Sequence, residues 1–291
     1  MNSPEIQTAI TVEWLVGKTA AVYSLPLSYE RLTGVINHPR SSIADIAGVI
    51  IEDQGLTARL LKLANSPMFG YFSRIDSVSK AVMIIGMQQL RDMALAVSVM
   101  ELFSGIPKDL ISMRSFWQHS IGCGIIARAL AVHLREANVE RYFATGILHD
   151  IGRLVLCTTL PDMVLEMLLV SRENESLLYQ TETSRLGFTH AAVGGAILER
   201  WKIPAAIVEP VSCHHDPGSA GHYPLETAVI HLADIVCNGL QFGCSGERYV
   251  PPLNPAAWDR LNIPAAALSA IVRQVKQQIT ETFAIFEKGD V

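Results

Sequence analysis

The chain lacks long apolar runs, clustered positive charge and paired cysteines. No apolar run reaches the roughly 18 residues of a membrane span, because the longest apolar stretch, 81–99, is interrupted by Gln88, Gln89, Arg91 and Asp92. No basic segment precedes an apolar stretch near Glu5, so no secretory signal is expected. The 23 Lys and Arg are outnumbered by 28 Asp and Glu, giving a formal net charge of -5. No Lys/Arg cluster supplies the basic face that duplex binding uses. The five cysteines (Cys123, Cys157, Cys213, Cys237, Cys244) include no CxxC pair. An odd, scattered count fits a reducing cytoplasm rather than a disulfide framework. These features imply a cytoplasmic protein that neither enters a membrane nor binds duplex nucleic acid.

The chain is rich in apolar residues: 49% of its 291 residues, against 18% charged. That composition buries a sizeable core and argues against disorder. Helical periodicity dominates and strand alternation is scarce. Helices are expected over 5–23, from Ser28, from Ser41-Ser42 to a break at Gln54-Gly55, over 56–65, and on both sides of Gly86. Further helices are expected over 116–134, 141–156, 161–172, 183–201, 205–215, 226–238 and 265–286, with 240–256 as a loop. Gly105-Ile106-Pro107 is the best boundary candidate. It divides the chain into a helical subdomain at 1–107 and a larger bundle at 108–291. The expected class is all-α, with the smaller N-terminal bundle packed on the larger one.

The polar residues that interrupt the apolar helices carry the chemistry. His149-Asp150 lies in ATGILHDIG, between Ile147-Leu148 and Ile151, where a polar pair needs partners. As neighbours on one helix the two would point about 100° apart. At helix-sized intervals stand His119, His190, His214-His215 and Asp234. Imidazole and carboxylate are ligands for first-row divalent metals, and Fe, Mn, Zn and Ni all suit such a set. One or two ions are expected, and Asp150 can bridge a pair through its two oxygens. A dinuclear site activates water and clamps phosphate oxygens.

Taken singly, each residue has a plainer reading. His119 suits a satisfied core histidine, His190 a surface residue at a helix start, and His214-His215 a helix C-terminus that favours the dipole. Asp234 in an apolar helix needs a partner, and His231, three residues earlier, suits a supporting role. Arg153 can pair a phosphate through its planar fork or a nearby carboxylate. His38, His133 and His222 read as surface residues.

The order and spacing of His119-Ser120, His149-Asp150-Ile151-Gly152, His190, His214-His215 and Asp234 resemble the HD superfamily of metal-dependent phosphohydrolases. Within it the chain is more similar to the HDOD family, the HD-related output domain. That similarity rests on Leu25-Pro26, on 50–66 (IIEDQGLTARLLKLANS) and 77–86 (SVSKAVMIIG), and on 186–190 (LGFTH), 201–204 (WKIP) and 214–217 (HHDP). It covers residues 15–240. The resemblance implies a bacterial signalling output module working with other signalling proteins, mostly without demonstrated catalysis.

It also implies that His119, His149, Asp150 and Asp234 hold one ion, and that His190, His214 and His215, with Asp150 bridging, hold a second. If the protein is an enzyme, it is a phosphohydrolase acting on a nucleotide or cyclic dinucleotide, with Asp150 and His149 catalytic and Arg153 on the substrate. The HD-GYP branch, which hydrolyses cyclic di-GMP, has Lys where this chain has Arg153. The acidic loop leading to Gly-Tyr-Pro in that branch has no counterpart here.

Overall fold

The structure, a computed structural model, describes residues 10–20, 23–70, 73–103, 106 and 110–287. The described residues form sixteen α-helices and no strand, the all-α class expected. The N-terminal helices are α1 (Val12–Ala20), α2 (Leu27–Asn37), α3 (Ile43–Glu52), α4 (Gln54–Ala64), α5 (Val78–Ile85) and α6 (Met87–Leu102). After them come α7 (Met113–His133), α8 (Val139–Leu148), α9 (Ile151–Thr159), α10 (Pro161–Glu173), α11 (Leu178–Leu186) and α12 (His190–Arg200). The chain closes with α13 (Ala205–Cys213), α14 (Pro224–Gly239), α15 (Pro255–Leu261) and α16 (Ala265–Glu287).

Local chemistry sets these boundaries. Ser42 and Asp45 close a capping box at the start of α3. Asp53 caps α4 through the Leu56 amide, so the break falls one residue before the expected Gln54. Gly86, at φ 95°, turns the chain between α5 and α6. Asn65 folds the following loop back, its side chain exchanging hydrogen bonds with the backbone of Ile75 at 2.7 and 2.8 Å.

Helices α2–α6 pack on one another, and α6 also lies along α8. Helix α1 packs on α9 and α12 instead. Helix α7 is the central post of the larger bundle, touching α8, α14 and α16. It buries Phe116, Ile121, Ile125, Ile126 and Leu130, each contributing about 1.5–3 kcal/mol by leaving water. Gly124 and Gly146 let α7 and α8 cross backbone to backbone, since a Cβ on Gly146 would lie 2.6 Å from Gly124 Cα. Of the expected boundary, Gly105 and Pro107 lie outside the described residues. So do residues 1–9, where the first helix was expected to begin.

A polar seam joins the two groups of helices. Arg128 on α7 pairs with Glu140 at 3.0 Å, donates to the Met68 carbonyl at 2.9 Å and lies over the Phe69 ring. Asn138 donates to Asp92 of α6 at 2.8 Å.

Three expectations need correction. The helix expected over 141–156 is two, α8 and α9, and His149 and Asp150 occupy the turn between them. The helix expected over 183–201 is also two. Gly187, left-handed at φ 82°, ends α11, and the Thr189 side chain caps α12. Residues 255–261 form α15, which opens with Asn254 as cap and Pro255 at its first turn.

Candidate metal centre

Five short segments bring the candidate ligands together: α7 (His119), the α8–α9 turn (His149, Asp150), the start of α12 (His190), the end of α13 (His214, His215) and α14 (Asp234). They form two groups. His119, His149 and Asp234 make one, and Asp150, His190, His214 and His215 the other, each with its ligand atoms within 4.8 Å of one another. His119, His149, His190 and His214 are fully buried. His215 alone is half-buried, and the Tyr179 ring of α11 stacks on it at 4.2 Å. His38, His133 and His222 are exposed, as expected.

Asp150 faces both groups, one oxygen to each. Its Oδ2 lies 3.3 Å from His149 Nε2 and 3.7 Å from His119 Nε2. Its Oδ1 lies 2.8 Å from His190 Nε2 and 3.8 Å from His214 Nε2. Within the first group, Asp234 Oδ1 is 3.1 Å from His119 Nε2 and 3.6 Å from His149 Nε2. Ligand atoms roughly 2.1 Å from one ion, at tetrahedral or octahedral angles, stand roughly 3.0–3.5 Å apart. The measured separations fall in or near that interval.

The rings are aimed by their far nitrogens. His149 Nδ1 donates to the Gly146 carbonyl and His214 Nδ1 to that of Val211, both at 2.7 Å. His190 Nδ1 donates to Glu182 Oε2 at 2.7 Å. Each ring thus turns its Nε2 inward. His190 and His215 bring their Nε2 atoms to 3.2 Å of each other. His214 Nε2 and Asp150 Oδ1 are buried with no hydrogen-bond partner. The 2.8 Å approach of His190 to that oxygen does not follow a hydrogen-bonding direction. Buried acceptors that converge without donors are costly, and a cation satisfies them together. The residues present therefore fit a divalent metal at either group.

The electrostatics follow from this crowding. Burial raises the Asp150 carboxyl, but His149, Arg153 and His190 outweigh it and hold the group well below the usual range. Asp234 is likewise raised by burial, yet hydrogen bonds from His119 and His149 carry it well below. Burial and the neighbouring rings push His214 down to about 3 and His215 well below its ordinary value. His149 goes the other way: burial lowers it, and Asp150 raises it well above.

Supporting residues complete the site. His231 donates to the His214 carbonyl at 2.7 Å, and Asn238 donates to Asp234 Oδ1 at 2.7 Å. Arg153 is buried, its Nε 3.3 Å from Asp150 Oδ1 and its Nη1 3.3 Å from Glu182 Oε1. Its fork therefore faces two carboxylates. Glu182 and Tyr179 carried no signal in the sequence. On one straight helix Glu182 and His190 would lie about 12 Å apart, and the turn at Gly187 folds them together.

No single helix among the described residues is long and apolar enough to cross a membrane. The HDOD domain family model matches residues 22–217. The fold is similar to that of an HDOD domain protein of unknown function from Geobacter sulfurreducens, at 25% identity, 94% coverage of this chain, 96% of that one and TM-score 0.74. It is also similar to a provisionally assigned phosphohydrolase from Shewanella amazonensis SB2B, at 23% identity, 93% and 97% coverage and TM-score 0.72, a likeness of fold. An uncharacterized protein of Treponema pallidum is 25% identical over 215 residues, 73% of this chain, and this chain spans 41% of that protein's length. With its two His/Asp groups on an HD-like helical bundle, the chain belongs to the bacterial HDOD family of HD-related output domains.

Proposed function

We propose that this protein is a cytoplasmic signal-transduction output protein whose larger bundle holds a pair of divalent ions. His119, His149 and Asp234 would hold one ion, His190, His214 and His215 the other, and Asp150 both. The observation that carries this reading is the division of Asp150, with one oxygen toward each group of imidazoles. Fe, Mn, Zn and Ni all suit the donor set. When bound, such a pair supplies Lewis acidity toward phosphoryl oxygens and a lowered water pKa.

The deep burial of the ligands favours a rigidifying role. A partner surface is offered by the N-terminal helices, where Ile51, Met83 and Met87 are 57%, 65% and 41% exposed. Helix α6 buries Leu90 and the run from Met93 to Val99 in the core, which disfavours its use as a reader of duplex nucleic acid. Metal stoichiometry on protein purified without oxygen or chelators tests the central claim, with Asp150→Ala beside it. About two ions per chain, lost in the variant, is the expected result, and an ion-free wild-type protein with an intact fold would refute it.

The completeness of the ligand set favours a second reading, a phosphohydrolase acting on a nucleotide or cyclic dinucleotide. In it Asp150 and His149 stand at the reacting centre. Arg153 orients Asp150, and a phosphate contact would require its fork to leave a carboxylate. Turnover of a nucleotide panel by metal-loaded protein supports this reading, and no turnover with any of Mn, Fe, Zn, Mg or Ni rejects it.

A further inference from the structure

Helix α11 donates none of the candidate ligands, yet it touches several groups around the second ion subsite. Its Glu182 is buried, at 2% exposure. Oε2 accepts from the His190 backbone N–H at 2.8 Å and from Nδ1 of the same residue at 2.7 Å. Oε1 accepts from Arg153 Nη1 at 3.3 Å. Arg153 in turn approaches Asp150 Oδ1, which His190 Nε2 faces. The four side chains form a closed ring in which carboxylates alternate with an imidazole and a guanidinium. About one turn earlier on the same helix, Tyr179 stacks on His215. Glu247 accepts from the Leu178 amide at 2.8 Å and so fixes the start of the helix. Among the described residues no carboxylate stands behind an imidazole of the first subsite: His149 Nδ1 donates to a backbone carbonyl, and His119 Nδ1 is buried with no hydrogen-bond partner.

We infer that Glu182 is the positioning residue of the second ion subsite, holding His190 and Arg153 so that the His190 Nε2 lone pair and the shared carboxylate of Asp150 are aimed at the same ion. The inference rests on the metal-pair reading and adds an asymmetry to it. A carboxylate behind an imidazole fixes its tautomer and increases its basicity, and loss of such a partner costs about 10- to 100-fold in metal affinity. That cost falls on the subsite containing His190 and spares the one containing His119.

Titration of chelator-stripped protein with Co(II) alone, read by its visible absorption and by bound stoichiometry, tests this. Wild type is expected to take up two ions. Glu182→Gln is expected to keep one at unchanged affinity and to bind the other about 10- to 100-fold more weakly. The pair Glu182→Gln with His119→Ala is expected to retain neither tightly, whereas Glu182→Gln added to His190→Ala changes nothing further. Two ions bound with unchanged affinity by Glu182→Gln would overturn the inference and leave the metal pair standing. A wild-type protein that takes up no ion would overturn both. Equal weakening of the two ions would show a general structural role and also overturn it. If Glu182→Gln loses its helicity, Glu182→Asp keeps the charge beside Arg153 and carries the same test.

Discussion

Helices α2–α6 and the bundle around α7 have opposite interiors. The first group encloses an apolar core of Leu32, Ile46, Ile50, Leu60 and Leu63, all at 2% exposure or less. Asp92, its one buried charged residue among the described residues, is turned to the seam and to Asn138. The second group buries His119, His149, Asp150, His190, His214 and Asp234 in its middle. Both cores are held by burial of apolar area, but only the second also encloses a cluster of ionisable groups whose charges must balance. Damage to the first should be a loss of stability, and damage to the second a loss of ions.

The largest expected effect is that of Asp150→Ala, which removes the shared carboxylate. Bound metal should fall from about two ions to none, read by elemental analysis, while the melting of α2–α6 is little changed. Retention of one ion would show that the two groups act separately. Next is Gly152→Ala, because a Cβ there collides with the His190 carbonyl and lies 2.7 Å from Gly194 N. With backbone as the obstacle, a loss of about 3 kcal/mol is expected, together with loss of the second ion. Leu63→Ala sharpens the contrast from the other side: about 2–5 kcal/mol of stability should go, with ion content unchanged.

Arg128→Ala probes the seam. It leaves the Glu140 carboxylate buried and unpaired, a cost of about 3 kcal/mol at neutral pH. Burial already raises the Glu140 carboxyl above its ordinary value, against the pull of Arg128. The folded variant therefore takes up a proton more readily than the unfolded chain, and its deficit should shrink as pH falls toward the ordinary carboxyl range. A deficit that grows on acidification would contradict this.

The smallest effect concerns proton release. His149 is raised well above its ordinary value, so an ion must displace its proton at neutral pH. Metal affinity should rise with pH by up to about tenfold per unit. His214, pushed down to about 3, adds nothing to that slope. Calorimetry in buffers of different ionisation enthalpy measures the protons released.

The candidate ligands were legible because each is a polar residue in an apolar stretch that needs a partner, and their spacing resembles that of a known superfamily. The geometry that unites them was less legible. Periodicity continues through His149-Asp150 and through Gly187, so the turns that aim Asp150 and fold Glu182 onto His190 do not register in it. Short α15 was hidden in a stretch rich in glycine and proline. Glu182 carries no mark in the sequence and lies just ahead of the helix expected over 183–201.

The glycine crossings have an evolutionary consequence. Gly124 with Gly146, and Gly152 with the His190 carbonyl, set how closely helices approach, and they carry no chemistry of their own. A descendant that exchanged its histidines for apolar residues would still need them to keep its shape. Ligands record whether a lineage kept its cofactor, and glycines record only that it kept its scaffold. Descendants with the glycines but without the histidines would then be outputs that retained the architecture after its inorganic contents had been lost.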